Sequence, residues 1–297
     1  MPWESILGGK MEKKILFLFL TLIFGWLILA EGNSFLKPKV LSGFDSEVLK
    51  IVFFDVGQGD ASLITLPSGE KILIDGGPDK KLLHKLADQL PLFSKKLDYV
   101  ILTHPHADHL ASLPEILRRY EVGQVIMTGV IHTSADYLDF LQVIKDKEIP
   151  VLFIEEPQEL VVGETVLQFL TPPESLREKK LENLNNSSLV FRLTYKNNSA
   201  LFMGDYEEEK QLISEENELV SQLLKTSHHG ANNGNDADFL AVVSPDQAII
   251  SVGKNNKFGH PNYRVLYELE DLGVEILRTD EVGDIIFIGD GENFSQL

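Results

Sequence analysis

The sequence predicts one α/β domain that follows an apolar N-terminal segment. From residue 48 onward, short runs rich in β-branched residues alternate with stretches of helical periodicity, which is typical of α/β domains. No internal repeat is visible in this alternation. The 297 residues, 43% of them hydrophobic, are sufficient for one large core. We therefore expect a domain at 48–297, a polar linker at 31–47 and a separate segment at 1–30.

The N-terminal segment is typical of an export signal or a membrane anchor. Ile15 to Ala30 carries no charge, and three lysines precede it. As a helix it would reach about 24 Å, against roughly 30 Å of hydrocarbon in a bilayer, so its length does not distinguish the two. Cleavage after Ala30 would place Ile28 where a small residue is usual, which favours a retained anchor. The preceding lysines predict an extracytoplasmic domain, either membrane-anchored or secreted.

Charge and cysteine content exclude several classes of function. The chain has 27 basic and 45 acidic residues, and its net charge of −18 disfavours diffuse capture of nucleic acid or anionic lipid. Positive charge gathers in one short stretch, for which a solvated helix face is the simpler explanation. Its residues are Lys80, Lys81, Lys85, Lys95 and Lys96. Because the chain has no cysteine, any metal must be bound by His, Asp, Glu or backbone groups.

The first half of the domain contains strands that end in polar loops. We predict strands at Leu49 to Asp55, Ala61 to Leu66, Lys71 to Ile74 and Asp98 to Leu102, and a helix at Lys80 to Leu90. The last of these strands is continuously apolar and runs directly into His104. Strand ends of this kind are where open α/β sheets place ligands.

The second half repeats this arrangement. We predict strands at Gln124 to Met127, Val151 to Ile154, Thr165 to Phe169, Leu189 to Tyr195, Ala200 to Met203, Leu223 to Thr226 and Ala248 to Val252, with a helix through the Glu207 region. Polar residues again follow the strands: Asp205, the pair His228-His229, and His260. Such a distribution predicts a sheet sandwich with a shared site at one edge.

One short segment has the composition of a metal site. His104, His106, Asp108 and His109 follow a buried strand within six positions, and divalent metals of intermediate softness prefer imidazole and carboxylate ligands. In a tight loop, His104 and His106 can face one way while Asp108 and His109 face another, so that two neighbouring metals can share this segment. A lone histidine would be better explained as a core or surface residue, but four ligand-type residues together favour a metal site.

These residues resemble the signature of the metallo-β-lactamase superfamily. The match is closest to the extracytoplasmic hydrolase domain of the ComEC/Rec2 competence proteins, and it covers about Leu49 to Phe287. Its further segments are Asp55–Asp60, Leu73–Gly77, Asn185–Leu189, Gly204-Asp205, His228–Gly230, Gly259–Pro261 and Arg278–Asp280. We expect a counterpart of the hydrolase part of that family alone, without its transmembrane channel. The resemblance implies a four-layer αββα sandwich with two metals, zinc or sometimes manganese, between the sheets.

The resemblance also implies a role for each ligand. His104 and His106 would bind one metal, Asp108 and His109 the other, and Asp205 would bridge them. His228 or His229 would complete the second site, and we favour His228 because it lies nearer the strand end.

Other positions are assigned around the metals. Asp75 would hold the metal loop from behind. Many family members have a further histidine where this chain has Asn185-Asn186, so Asn186 is placed beside the metals or the substrate. His260 would contact substrate or be a turn residue, and Asp60 would line the site or stabilise a turn.

The chemistry expected of this site is hydrolysis. Two metals about 3.5–4 Å apart activate a water and stabilise an in-line displacement, which suits a phosphodiester. Asp108 and Asp205 would position the attacking oxygen, and His229 or His260 would assist the leaving oxygen. Single-stranded DNA delivered by a membrane DNA-uptake partner is the substrate the resemblance favours. A choline phosphodiester, a thioester, a lactam, or a non-catalytic binding module of the same fold are the alternatives.

Overall fold

Two β-sheets form the centre of the described part of the chain. The protein is represented by a computed structural model that describes residues 48–91, 94–215 and 218–297. The predicted signal or anchor at 1–30 and the linker at 31–47 lie outside these residues. Among the described residues, no helix is both long enough and apolar enough to cross a membrane.

The strands, in chain order, are β1 (Leu49–Phe53), β2 (Ser62–Thr65), β3 (Lys71–Ile74), β4 (Lys96–Ile101), β5 (Glu121–Met127), β6 (Val151–Phe153), β7 (Gln158–Val162), β8 (Thr165–Phe169), β9 (Phe191–Tyr195), β10 (Asn198–Phe202), β11 (Leu223–Lys225), β12 (Gln247–Ile250), β13 (Glu275–Arg278), β14 (Ile285–Gly289) and β15 (Phe294–Gln296). The helices are α1 (Lys81–Gln89), α2 (Ala107–Leu110), α3 (Leu113–Arg119), α4 (Ala135–Asp146), α5 (Glu209–Ser214), α6 (Ala237–Val243), α7 (Tyr263–Asp271) and α8 (Thr279–Val282). Short 3₁₀ turns occupy Leu184–Ser187 and Ser227–Gly230.

Each sheet has an antiparallel part and a parallel part. The first sheet has the order β15-β14-β1-β2-β3-β4-β5-β6, in which β3 to β6 run parallel. The second has the order β13-β12-β11-β10-β9-β8-β7, in which β10 to β13 run parallel. Because parallel strands end at the same edge of a sheet, the loops that follow them gather there. These loops contain the predicted metal ligands.

Alternating side chains divide the strands between separate cores. In β1, Ile51 packs into the core between the sheets, whereas Val52 packs against the outer helices. The core between the sheets contains Phe53, Phe191 and Phe202, whose rings stack in series. Helices α1, α3 and α4 cover the first sheet, and α5, α6 and α7 cover the second. The order helix, sheet, sheet, helix confirms the predicted αββα sandwich.

Boundaries of the predicted elements agree with the structure to within a few residues. The strand predicted to begin at Asp98 begins at Lys96, and the helix predicted through the Glu207 region begins at Glu209. The sequence analysis does not locate β7, the last three strands, or most of the helices. Strand β7 illustrates the reason: it is an edge strand with only one fully buried residue, Val162, so its apolar pattern is weak.

Candidate metal centre

The loop after β4 and the short helix that follows it present four ligand-type side chains within six residues. His104 and His106 lie in the extended stretch before α2, and this helix begins at Ala107, so that Asp108 and His109 fall on its first turn. His104 and His109 are buried, whereas His106 and Asp108 are partly exposed. The loop therefore supplies ligands both from the interior and from the mouth of the site.

The structure brings two of these side chains together with Asp205. His104 Nε2 lies 3.0 Å from His106 Nδ1 and 3.7 Å from Asp205 Oδ2. One ligand atom from each of the three residues lies within 4.8 Å of the others, as required for a single ion. These three residues form the first group.

A second group lies directly beside the first. His109 Nε2 is 3.2 Å from Asp205 Oδ1, and His229 Nε2 is 3.3 Å from Asp108 Oδ2. The ligand atoms of these four residues also lie within 4.8 Å of one another. Asp205 thus belongs to both groups, which is the arrangement of a carboxylate shared by two ions.

Two buried atoms at this point lack hydrogen-bond partners among the described residues. They are His109 Nε2 and Asp205 Oδ1. Buried polar atoms are normally satisfied, and an unpaired nitrogen facing an unpaired carboxylate oxygen fits a bound cation between them. The donor set, imidazole nitrogens with carboxylate oxygens, is suited to a borderline-soft divalent metal.

Asp75 fixes the metal loop from the side away from the mouth. Its Oδ1 accepts a hydrogen bond from Thr103 N at 2.8 Å, and its Oδ2 accepts one from the Thr103 hydroxyl at 2.7 Å. The same Oδ2 lies 2.7 Å from His109 Nδ1. A proton on Nδ1 leaves Nε2 available for a metal, which is the usual function of a carboxylate behind a ligating histidine.

Asp60 and Lys225 form a buried ion pair behind His229. Lys225 Nζ lies 2.6 Å from Asp60 Oδ2, and both side chains are at most 6% exposed. Asp60 Oδ1 lies 3.2 Å from His229 Nδ1, which is also 2.9 Å from the Ser251 carbonyl oxygen. The sequence analysis overlooked Lys225, although a lysine at the end of an apolar strand before two histidines is a usable signal.

The three residues Asp60, Asp75 and His109 form a further cluster with ligand atoms within 4.8 Å. Its carboxylates are already engaged, by Lys225 and by Thr103. We therefore assign it to the support of the metal centre.

The adjacent histidines have different positions. His229 is buried and belongs to the second group. The His228 side chain is 23% exposed, with Nε2 3.8 Å from Asp205 Oδ2 and Nδ1 3.1 Å from Glu207 Oε1. The choice of His228 to complete the second site is therefore not the one that the geometry favours. The reason is the backbone, since both residues have positive φ, 45° and 56°.

The asparagine pair also divides. Asn186 donates to Glu208 Oε1 at 2.8 Å and accepts from Glu207 N at 3.1 Å, so the structure places it in a surface contact rather than beside the metals. Asn185 is buried and donates to Glu207 Oε1. Glu207, which the sequence analysis did not single out as a site residue, thereby connects this turn to His228.

His260 lies at the mouth of the site. Its ring centroid is 5.4 Å from that of His228 and 6.3 Å from that of His229. Gln58 Nε2 lies 3.5 Å from its Nδ1. Burial, with His229 and His228 nearby, lowers the pKa of His260 to about 4, so the ring is neutral at physiological pH.

The charges of the buried groups complement one another. Burial disfavours the charged form of His109, but Asp205 and Asp75 outweigh this effect and raise its pKa well above the usual range. Burial alone would raise the pKa of Asp205, but His109 and His229 hold it well below its usual value. Burial lowers the pKa of His104 well below normal, which leaves a neutral imidazole able to bind a metal.

A model of the metallo-β-lactamase superfamily matches residues 54–254. The chain belongs to the metallo-β-lactamase superfamily. Proteins of this fold are usually metal-dependent hydrolases and often bind two ions. The matched range includes both ligand groups.

Two curated relatives, one of them named a competence protein, match most of this chain. The chain is 28% identical over 304 residues to ComE operon protein 3 of Bacillus subtilis, covering 91% of this chain and 38% of that protein. It is 24% identical over 264 residues to competence protein ComA of Neisseria gonorrhoeae, covering 88% and 35%. The resemblance to the ComEC-type proteins is thereby confirmed. The chain spans little more than a third of the length of these two relatives.

A solved structure shares the fold. The metallo-β-lactamase fold protein YhfI from Bacillus subtilis superposes with a TM-score of 0.56 at 15% identity, covering 81% of this chain and 100% of that one. At this identity the likeness establishes the fold alone.

Proposed function

We propose that this protein is a dinuclear metal-dependent phosphodiesterase that acts outside the cytoplasmic membrane. The observation that carries the proposal is the position of Asp205, whose two oxygens face the two adjoining ligand groups. One buried carboxylate common to two groups supports two ions at the short separation that phosphodiester hydrolysis uses.

The side chains have distinct tasks in this mechanism. His104, His106 and Asp205 would hold one ion, and Asp108, His109 and His229 would complete the other with Asp205. Bound there, two divalent ions would supply a water of lowered pKa and positive charge for the developing charge on phosphorus. Asp75 and Asp60 keep the ligating nitrogens of His109 and His229 directed at the site.

In this proposal, His228 donates a proton to the leaving oxygen. Its Nδ1 contacts Glu207 and its Nε2 faces the site from a partly exposed position, so that Nε2 can donate a proton to the leaving group. His229 is buried against two carboxylates, which excludes it from this task, and His260 has a lowered pKa that disfavours it as an acid.

The proposal also covers the substrate, the cellular location and the partner of the protein. One relative is named a competence protein, which supports a test of single-stranded DNA and of a membrane DNA-uptake partner that delivers it. The apolar N-terminal segment supports export with attachment to the membrane. The proposed ions are zinc, with manganese as the alternative.

The experiment compares the full chain in mild detergent with its Asp205→Ala variant. We expect about two ions per chain by elemental analysis, and hydrolysis of bis-(p-nitrophenyl) phosphate and single-stranded DNA. Asp205→Ala should lose metal from both groups and reduce turnover at least about 1,000-fold, while circular dichroism shows the same fold.

Asp139→Asn serves as the matched control, because this carboxylate on α4 forms an exposed ion pair with Arg118 of α3. Its metal content and turnover should equal those of the unmodified chain. Unchanged turnover in Asp205→Ala would refute the assignment of the centre. A protein without metal and without turnover after reconstitution would support the non-catalytic binding module instead.

A further inference from the structure

The exposed aromatic side chains of the described residues come from one short segment. Phe258 is 57% exposed, Tyr263 79% and Tyr267 55%, and the other exposed large hydrophobic side chains in the described ranges are aliphatic. Tyr263 and Tyr267 lie one turn apart on the same face of α7. Exposed aromatic rings are costly to leave in water, so their restriction to residues 258–267, here named the aromatic segment, indicates a contact surface.

This segment begins at the mouth of the metal centre. The Phe258 ring stacks on His260 with 5.8 Å between centroids and 27° between planes. His260 in turn contacts the rings of His228 and His229. A group stacked on the outer face of Phe258 therefore lies next to the residues that would act on a phosphodiester.

The loop that carries Phe258 is held in a fixed conformation. Asn256 Oδ1 accepts hydrogen bonds from the backbone N–H groups of Phe258 and His260, both at 3.1 Å. Its Nδ2 donates to the carbonyl oxygens of Gly253 and His260 at 3.1 and 2.6 Å. Gln58 Oε1 accepts from Gly253 N at 3.1 Å, which ties the loop to the turn after β1. The Phe258 ring is thus positioned before any ligand binds, which lowers the entropy cost of stacking.

Positive charge accompanies the ring, although the whole chain carries −18. Lys257 Nζ lies 5.4 Å from the Phe258 centroid. A cavity of about 540 Å³ beside His260 is lined by Lys254 and Arg278, and also by Asp280 and Glu281. Arg278 pairs with both of these carboxylates at 2.8 and 2.7 Å. The cations that remain for phosphate groups are therefore Lys254 and Lys257.

We propose that the aromatic segment is a stacking site for the unpaired bases of a single-stranded nucleic acid, with one base on Phe258 beside the scissile phosphate and its neighbours directed along Tyr263 and Tyr267. Lys254 and Lys257 contact the flanking phosphates. The inference rests on the proposed phosphodiesterase function and assigns the residues that bind its proposed single-stranded substrate. Stacking on aromatic rings tolerates any base and adds affinity beyond the phosphate contacts, so two local lysines together with the rings can bind a nucleic acid although the net charge of the chain is acidic.

The test measures binding and turnover of two strands by the full chain in mild detergent. One strand is oligothymidylate, and the other has the same length but abasic residues. The unmodified chain should bind oligothymidylate at least about 10-fold more tightly by fluorescence anisotropy, because stacking on even one ring has an effect of this size. Phe258→Ala should weaken binding of oligothymidylate about 10-fold and leave binding of the abasic strand unchanged, and Phe258→Trp should retain the affinity of the unmodified chain for both strands. With two phosphate contacts, the logarithmic salt dependence should have a slope of only about −1.4.

Leu138→Ala is the matched control, since Leu138 is exposed to a similar extent, 54%, but lies on α4. It should leave both affinities unchanged. Equal binding of the two strands by the unmodified chain, or an equal loss for both strands in Phe258→Ala, would overturn the stacking site. Hydrolysis of both strands with no base preference would leave the phosphodiesterase intact and refute this inference alone. A base preference in binding without any hydrolysis would support the stacking site and refute the phosphodiesterase.

Discussion

Three consecutive residues with positive φ determine how the two adjacent histidines are used. His228, His229 and Gly230 have φ values of 45°, 56° and 74°. For a residue with a side chain, this conformation costs on the order of 1 kcal/mol or more, and such strain is concentrated at functional sites. It turns His229 into the interior and leaves His228 at the mouth. The sequence could not decide between them, because an extended or helical backbone would direct the rings differently.

The ion pair of Asp60 and Lys225 shows a second limit of the sequence. The contiguous ligands at 104–109 could be recognised because they lie in one loop. Asp60, in the loop between β1 and β2 of the first sheet, and Lys225, in β11 of the second sheet, lie far apart in the chain. Only the packing of the two sheets brings them together behind His229. Asp60 could therefore be placed near the site by resemblance, while its partner could not.

We predict that removing the cation of this pair destabilises the fold. Lys225→Met would leave Asp60 charged and unpaired in the interior, which should lower the free energy of unfolding by about 3–5 kcal/mol. Denaturant unfolding monitored by circular dichroism measures the change. The double variant Asp60→Asn, Lys225→Met should recover most of this loss, because both buried charges are removed.

Zinc affinity separates two roles of the Asp60–Lys225 pair: stabilising the fold and orienting His229. The double variant should still bind zinc about 10-fold more weakly, because His229 no longer has a carboxylate at Nδ1. Zinc affinity equal to that of the unmodified chain would mean that the Ser251 carbonyl oxygen alone orients His229. A double variant as unstable as Lys225→Met would contradict the unpaired-charge explanation.

Strands whose own residues show a clear apolar pattern could be predicted. A strand whose place in the sheet is determined by a partner far away in the chain could not. The buried strand β4 and the half-buried β8 were located from their own residues. The strand β14 was not located, although it pairs with β1 along its whole length, from Leu49 opposite Gly289 to Phe53 opposite Ile285. Its place depends on a partner at the other end of the domain.

Helix α5 supports the turn that carries His228 and His229 through one buried carboxylate. Glu209 accepts hydrogen bonds from Asn235 N at 2.6 Å and Asp236 N at 2.8 Å. Asn235 in turn bonds the backbone N–H and carbonyl oxygen of Ser227, just before the two histidines. Burial raises the pKa of Glu209 to about 7, against backbone N–H donors that lower it.

The raised pKa predicts a loss of stability with rising pH. The unfolded carboxyl ionises near 4.5 and the folded one near 7, so the folded state binds the proton more tightly between these values. The free energy of unfolding should therefore fall as pH rises from 5 to 8, by an amount on the order of 3 kcal/mol attributable to Glu209. Thermal unfolding of Glu209→Gln should lack this part of the pH dependence.

Glu215→Gln is a suitable control, since Glu215 lies at the end of the same helix and accepts a bond from the exposed Gln211 side chain. Its pH dependence should parallel that of the unmodified chain. If Glu209→Gln also parallels it, the Glu209 carboxyl ionises at an ordinary pKa in the folded protein.

For the molecule as a whole, the proposed location can be tested directly. The positive charges before the apolar N-terminal segment predict that residues 48–297 lie on the outer side of the membrane. In spheroplasts of a bacterial host, protease added outside the cells should therefore degrade the domain. If the folded domain resists cleavage, the digestion is repeated with mild heating, which opens the fold to the protease. A cytoplasmic marker protein should survive in the same sample. Survival of the domain until the membrane is permeabilised would contradict the proposed export.

The pairing of β1 with β14 imposes an order on biosynthesis. A ribosome releases β1 first, yet one side of this strand remains without its hydrogen-bonded neighbour until β14 has emerged, after all strands of the second sheet. During that interval β1 is an open edge of the kind that attracts foreign strands. The ligands are divided in the same way, with His104 to His109 in the early half and Asp205 and His229 in the late half. Both proposed metal groups are consequently complete only after the early and the late half of the domain have both been synthesised.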